Sequence, residues 1–162
     1  MLFLDIFRRF NEKGLDYVII GGVALLMHGV VRLTADLDLM VALEHDNLRK
    51  LIDVMAELGY RPRIPEPAGA LLDSAKRQGW IDQKNMEVFS FYDPGQPVAL
   101  IDIMIHEPVD YRTLRERAVM MDINELSVPV ASREDLIAMK RISGRPQDIE
   151  DVKALERLAD HD

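Results

Sequence analysis

Three carboxylates stand where an ordinary apolar core would not put them. Asp36 and Asp38 lie two residues apart at the start of the apolar segment Leu37 to Val41. In a strand, side chains at i and i+2 leave the same face, and each residue adds about 3.3 Å. Both carboxylates can therefore converge on one divalent cation. A third acid, Asp102, interrupts the run Val98 to Ile105, on the face shared by Leu100 and Met104 and opposite Ile101, Ile103 and Ile105. Desolvated and unpaired, it would be strongly destabilising. A cation shared with Asp36 and Asp38 supplies its partner. Oxygen-only ligation suits Mg²⁺, with Mn²⁺ as a substitute, and Mg²⁺ leaves positions open for water and phosphate oxygens. The same acids also permit a plainer arrangement, in which each faces water or caps a backbone group far from the others. The spatial separation of Asp102 from the Asp36/Asp38 pair decides between the two.

Gly21-Gly22 precedes these acids, between an apolar run that reads as a strand and a helical stretch. Two glycines let the backbone bend sharply and approach a ligand with no Cβ in the way. The free N–H groups of the following helix favour a phosphate there. No GKS or GKT follows and no GxGxxG is present, so neither a P-loop nor a Rossmann turn is written here. The spacing for an EF-hand is missing as well.

The elements that must hold these residues follow from periodicity. Phe3, Ile6, Phe7 and Phe10 predict an opening helix that stops at Gly14, and Tyr17 to Ile20 a buried strand. Val23 to His28 reads as a helix ending at Gly29, and Leu37 to Val41 as a second strand. The apolar stripe Leu48, Leu51, Ile52, Met55, Leu58 predicts a helix closed by Gly59. Pro62, Pro65 and Pro67 make the next stretch a loop, followed by a short helix around Ala70 to Arg77. Met86 to Phe91 and Val98 to Ile105 are strands joined by the turn Asp93-Pro94-Gly95. Arg112 to Ala118 gives one or two helical turns, and Glu125 to Val130 a brief strand. Ser132 caps a helix that breaks at Gly144. Pro146 starts the last one, with Ile149, Val152, Leu155 and Leu158 as its buried stripe. Trp80 and Tyr60 read as packing residues and His28 as a hydrogen-bonded, non-catalytic histidine. The expectation is one α+β (α/β) domain over residues 1–162, a small mixed β-sheet flanked by helices. A core spans about 15–110, and a C-terminal strand and helical element about 111–162.

The block Gly21-Gly22-VALLMHG-VV-Arg32-L-Thr34-A-Asp36-L-Asp38 resembles the signature of the nucleotidyltransferase superfamily with the DNA polymerase beta-like fold. It is most similar to the AbiEii-like, toxin-type minimal group. Lys140 … Gly144-Arg145-x-x-Asp148-x-x-Asp151 resembles the element that follows the catalytic half in that group. The resemblance implies that Asp36, Asp38 and Asp102 hold a two-metal Mg²⁺ site. It implies that Gly21 and Gly22 cradle the β- and γ-phosphates and that Arg32 and Lys140 pair with phosphate. Thr34, Arg145 and Asp148 would be supporting residues. The implied activity moves NMP from an NTP, such as ATP, to a hydroxyl of an RNA 3′ end (tRNA included), a protein side chain or a small molecule. A toxin–antitoxin context with a cognate partner would fit. A non-catalytic nucleotide- or partner-binding member of the same fold is the alternative, since Val23 stands where a phosphate-gripping Ser or Thr is common.

Composition bounds these readings. With 28 acids against 20 Lys and Arg the formal charge is -8, which disfavours non-specific polyanion binding but not a metal-bridged phosphate. The cations gather near the two ends, as Arg8, Arg9 and Lys13, and as Lys140, Arg141 and Arg145. The absence of cysteine removes disulfides, thiolate nucleophiles and Cys-ligated zinc. No apolar run is long enough to span a membrane, and Asp5 interrupts the only leader-like stretch, so a cytoplasmic location is expected.

Overall fold

The computed structural model describes residues 3–161; Met1, Leu2 and Asp162 lie outside the described residues. In chain order the elements are α1 (Leu4–Lys13), β1 (Tyr17–Ile20), α2 (Gly21–His28), β2 (Leu37–Val41), α3 (His45–Glu57), β3 (Arg61–Pro62), a 3-10 turn (Ala68–Leu72), α4 (Ser74–Lys84), β4 (Val88–Asp93), β5 (Gln96–Met104), α5 (Tyr111–Arg117), β6 (Val119–Ile123), β7 (Leu126–Val130), α6 (Arg133–Ser143) and α7 (Pro146–His161).

The strands form one mixed sheet in the order β3-β4-β5-β2-β1-β7-β6. β1 and β2 are antiparallel, whereas β2 runs parallel to β5 and β1 parallel to β7. The parallel pairs need long crossovers, and these carry the helices. β1 is buried along its whole length, as a central strand covered on both faces must be. Ile101 and Ile103 of β5, with Ile105 just beyond its end, are buried, leaving Asp102 and Met104 half-buried on the other face. The core joins that layer to Phe7 and Phe10 of α1, Leu48, Leu51 and Met55 of α3, and Phe89 and Phe91 of β4. Trp80 packs on Phe89, ring centroids 5.4 Å apart, and takes its place in the core.

Four expectations shift. The proline-rich stretch begins with β3, which pairs Arg61 and Pro62 with β4; at the sheet edge a proline lacks no ladder partner. The helix after it is α4, later and longer than periodicity suggests, because Asp73 caps it by accepting from Ala75 N–H and Lys76 N–H. β6 was not expected: Asn124 and Glu125 take φ 45° and 71° and fold it back on β7, but it lies largely in water. Ile149 is 51% exposed, so the buried stripe of α7 passes instead through Val152 and Leu155, with Asp148 and Asp151 on the inside.

Candidate active site

The register of the sheet builds the site. Asp38 and Asp102 are partners across parallel β2 and β5, and Ser90 is the partner of Asp102 across antiparallel β4 and β5. One row across three strands therefore reads Asp38, Asp102, Ser90. Neighbouring strands stand about 4.8 Å apart, so the two carboxylates face each other at close range. Ser90 Oγ donates to Asp102 Oδ1 at 2.6 Å. Asp36 lies just before β2, where Leu100 N–H donates to its Oδ1 at 3.0 Å. That contact replaces the backbone ladder where β2 begins.

Burial, the adjacent Asp102 and, less strongly, Asp36 push the Asp38 carboxyl up to about 7, against the opposing pull of Lys140. Two carboxylates pressed together and partly desolvated repel each other when both are ionised. A hard divalent cation would relieve that repulsion, and the oxygen-only donor set fits Mg²⁺. Among the described residues no three His, Asp or Glu side chains stand at ligating spacing. Asp38 and Asp102 are the pair that already meets, while Asp36 has one oxygen turned to Leu100.

Gly21 and Gly22 open α2 directly, so the turn expected ahead of the helix is its first turn. Gly21 sits at φ 67°, and a Cβ there would lie 2.1 Å from Asp38 Oδ2. A Cβ on Gly22 would lie 2.5 Å from Thr34 Oγ1. The glycines thus admit two neighbouring side chains against the backbone, a requirement separate from any phosphate contact. No side chain caps α2, leaving its first N–H groups for another acceptor.

The C-terminal motif forms a buried ion network. Asp148 and Asp151, 1% and 3% exposed, both accept from Lys140 Nζ, at 3.2 and 3.0 Å. Arg145 Nε and N–H donate to Asp148 Oδ2, at 2.9 and 3.2 Å, and Arg32 Nη1 donates to Asp151 Oδ2 at 2.5 Å. Burial pushes both carboxyls up, but hydrogen bonds outweigh it and hold them below the usual range: from Arg145, Ser143 and Lys140 at Asp148, from Lys140 and Gln147 at Asp151. Arg32 Nε is buried with no hydrogen-bond partner. Arg32 and Lys140 are therefore committed to carboxylates 119 and 8 to 11 residues away in sequence rather than standing free for phosphate. The N-terminal cations are likewise engaged: Arg9 and Lys13 pair with Glu57.

A cleft of about 520 Å³ unites these parts, lined by Gly21, Asp38, Asp102, Lys140, Arg145 and Asp148. Val88, Met104, Met139 and Ile142 supply its apolar lining. Ser90 was missed in the sequence, though its alternation with Phe89 and Phe91 marks the polar face of β4. His28 is no part of the site: its Nε2 meets Ala131 O at 2.8 Å.

The family model described as "Nucleotidyltransferase of unknown function (DUF6036)" matches residues 3–161. No match was found among curated proteins. Among solved structures the fold is similar to a lincosamide antibiotic adenylyltransferase, LnuA, with lincomycin bound (TM-score 0.60, 15% identity, covering 94% of this chain and 93% of that one). It is similar to ANT(2″)-Ia in complex with adenylyl-2″-tobramycin (TM-score 0.62, 17% identity, 98% and 91% covered). A third likeness is to a putative nucleotidyltransferase from Thermotoga maritima (TM-score 0.58, 14% identity, 99% and 92% covered). With the family model spanning nearly the whole chain and the carboxylate row in place, the chain belongs to this nucleotidyltransferase family.

Proposed function

We propose that the chain transfers a nucleoside monophosphate from a nucleoside triphosphate, ATP in the first instance, to a hydroxyl acceptor at the Asp38–Asp102 row. The observation that carries this reading is the register partnership of these two acids against the Gly21 backbone. Asp38 and Asp102, joined by Asp36, would hold Mg²⁺, which when bound neutralises charge on the phosphates and on the attacking and leaving oxygens. The residues of the chain do the positioning. Ser90 fixes one oxygen of Asp102, Gly21 admits Asp38 to the helix start, and the uncapped N-terminus of α2 offers N–H groups to a phosphate. Arg145, whose side chain is 73% exposed, keeps its outer guanidinium nitrogens available at the cleft. The AbiEii-like resemblance at Lys140 to Asp151 supports a toxin–antitoxin setting in the cytoplasm. In the described residues no helix is long and apolar enough to cross a membrane.

The test is incubation with each α-labelled NTP, Mg²⁺ and a mixture of total RNA, cell protein and small-molecule alcohols. Label should pass to an acceptor in the wild type and fail in Asp38→Asn. Transfer by Asp38→Asn at the wild-type rate would overturn the reading. Mg²⁺-dependent ATP binding with no transfer to any acceptor would favour the binding-only alternative.

A further inference from the structure

The two edges of the sheet are built differently. β3 closes one of them with two residues, and its Pro62 has no N–H to offer. β6 forms the other with five residues, Val119 to Ile123, which include no proline, no lysine and one charge, Asp122. Brevity, proline and charge are the usual means of keeping a strand edge from pairing further. β6 uses almost none of them, and its Val119 and Met120 are 42% and 50% exposed.

The turn fixes which backbone groups of β6 face outward. Asn124 and Glu125 both take positive φ and make a two-residue hairpin loop, so Ile123 and Leu126 close it as a hydrogen-bonded pair. Hydrogen-bonded and non-hydrogen-bonded pairs alternate from there. Val119, Met121 and Ile123 therefore turn N–H and C=O to β7, while Met120 and Asp122 turn theirs away from the sheet. Pro129 opposite Met120 agrees, since a proline cannot donate across that pair. The side chains of Val119 and Met121 share a face with their partners Val130 and Val128, both fully buried. An apolar layer thus runs from β7 across β6 and stops in water at the edge.

We infer that β6 pairs antiparallel with β6 of a second copy of this chain, about a two-fold axis through Met121, joining two sheets into one. In this register Met120 of each copy faces Asp122 of the other, so the outward groups meet and exchange both hydrogen bonds in each pair. Val119 meets Ile123 and Met121 meets Met121, which carries the apolar layer of one copy into that of the other. Beyond the strands Arg117, whose side chain is 54% exposed with one nitrogen on Asp135, comes level with Glu125 at each end. The neighbouring two-fold registers are worse. Centred on Asp122, the pairing opposes two like charges; centred on Met120, it sets Arg117 against Ile123. The pairing is independent of the proposed transfer reaction.

Sedimentation velocity over a series of protein concentrations should show a reversible monomer–dimer equilibrium. Met120→Pro removes an outward N–H and spares the ladder to β7, whereas Glu125→Lys places like charges at both ends without touching the strand. Each should raise the dimer Kd at least tenfold, and Arg117→Glu added to Glu125→Lys should recover most of that loss. The chain has no cysteine, so cross-linking can report the register. Across the axis the Met121 Cα atoms would stand about 4.5 Å apart, within disulfide reach, and Met121→Cys should give a covalent dimer on mild oxidation. Val119→Cys lies several residues out of line with itself and should not. A chain that stays monomeric at every concentration overturns the inference. So does a dimer indifferent to Glu125→Lys, or cross-linking as fast at position 119 as at 121. Thermal unfolding of each variant separates loss of the dimer from loss of the fold, and the Glu125→Lys result decides alone if Met120→Pro does not fold.

Discussion

Gly21→Ala isolates the contact between the helix start and Asp38. The backbone is in the left-handed region at φ 67°, which costs a non-glycine residue about 1–2 kcal/mol. The added Cβ would stand 2.1 Å from Asp38 Oδ2, 2.8 Å from its Cγ and 2.9 Å from its Cβ. Heavy atoms at rest are roughly 3.5 Å apart, so the carboxylate must retreat by more than about 1 Å. Overpacking of this kind adds about 1–3 kcal/mol. For a chain of this size each kcal/mol lowers Tm by about 2–4 °C, which gives a fall of roughly 5–15 °C. The retreat also takes Asp38 out of line with Asp102, and a misplacement of about 1 Å costs on the order of 10²-fold in rate. Thermal denaturation and single-turnover label transfer are the assays. Gly79→Ala is the control: it lies within α4 with open space at its Cβ, and should stabilise by about 0.5–1 kcal/mol. A Gly21→Ala protein with Tm within 2 °C and a rate within about threefold of wild type would refute the packing of Asp38 against this backbone.

Gly22 has no left-handed requirement, so Gly22→Ala should lose activity through Thr34 alone, and adding Thr34→Ala should restore at least half of the lost Tm. Ser90→Ala removes the donor to Asp102 and should lower the transfer rate about tenfold, with Ser90→Thr recovering most of it. Asp151→Asn leaves Arg32 and Lys140 short of a buried counter-charge and should cost about 3–5 kcal/mol, read by urea denaturation; a loss below about 1 kcal/mol would contradict the network. The Asp38 carboxyl, raised from 3.8 to about 7, makes the folded state hold a proton that the unfolded chain has released in that interval. Its contribution to stability is therefore greatest below the unfolded value and is lost as pH rises through about 7. In metal-free protein at pH 8, Asp38→Asn should raise Tm, and in the presence of Mg²⁺ it should abolish transfer. Mg²⁺ should stabilise the wild type more at pH 8 than at pH 5.

Much of this site is written in local pattern. Alternation alone puts Asp102 on the face opposite three buried isoleucines, and the two-residue spacing puts Asp36 and Asp38 together. The hairpin of β4 and β5 and the Ser132 cap of α6 depend on neighbours in sequence, and both are present. What local pattern could not show is the pairing of β2 with β5, which sets Asp38 level with Asp102 across 64 residues of chain. Ser90 joins the site through that same non-local register. Arg32 and Lys140 read as phosphate ligands because their charge was visible and their partners were not; Asp151 reaches Arg32 from 119 residues away. β6 was illegible for a different reason. Four of its five residues, Val119 to Ile123, are apolar, but at the sheet edge they lie largely in water and form no buried stripe, and the pairing rests on the left-handed pair Asn124 and Glu125.

The most direct measurement on the central claim is the stoichiometry of a single turnover with α-labelled ATP, Mg²⁺ and excess acceptor. The expected result is one pyrophosphate released for each labelled nucleoside monophosphate attached, with both products lost together in Asp38→Asn and in Asp102→Asn. Transfer that persists in either variant, or phosphate released without attached label, would contradict the assignment of the Asp38–Asp102 row as the centre of nucleotidyl transfer.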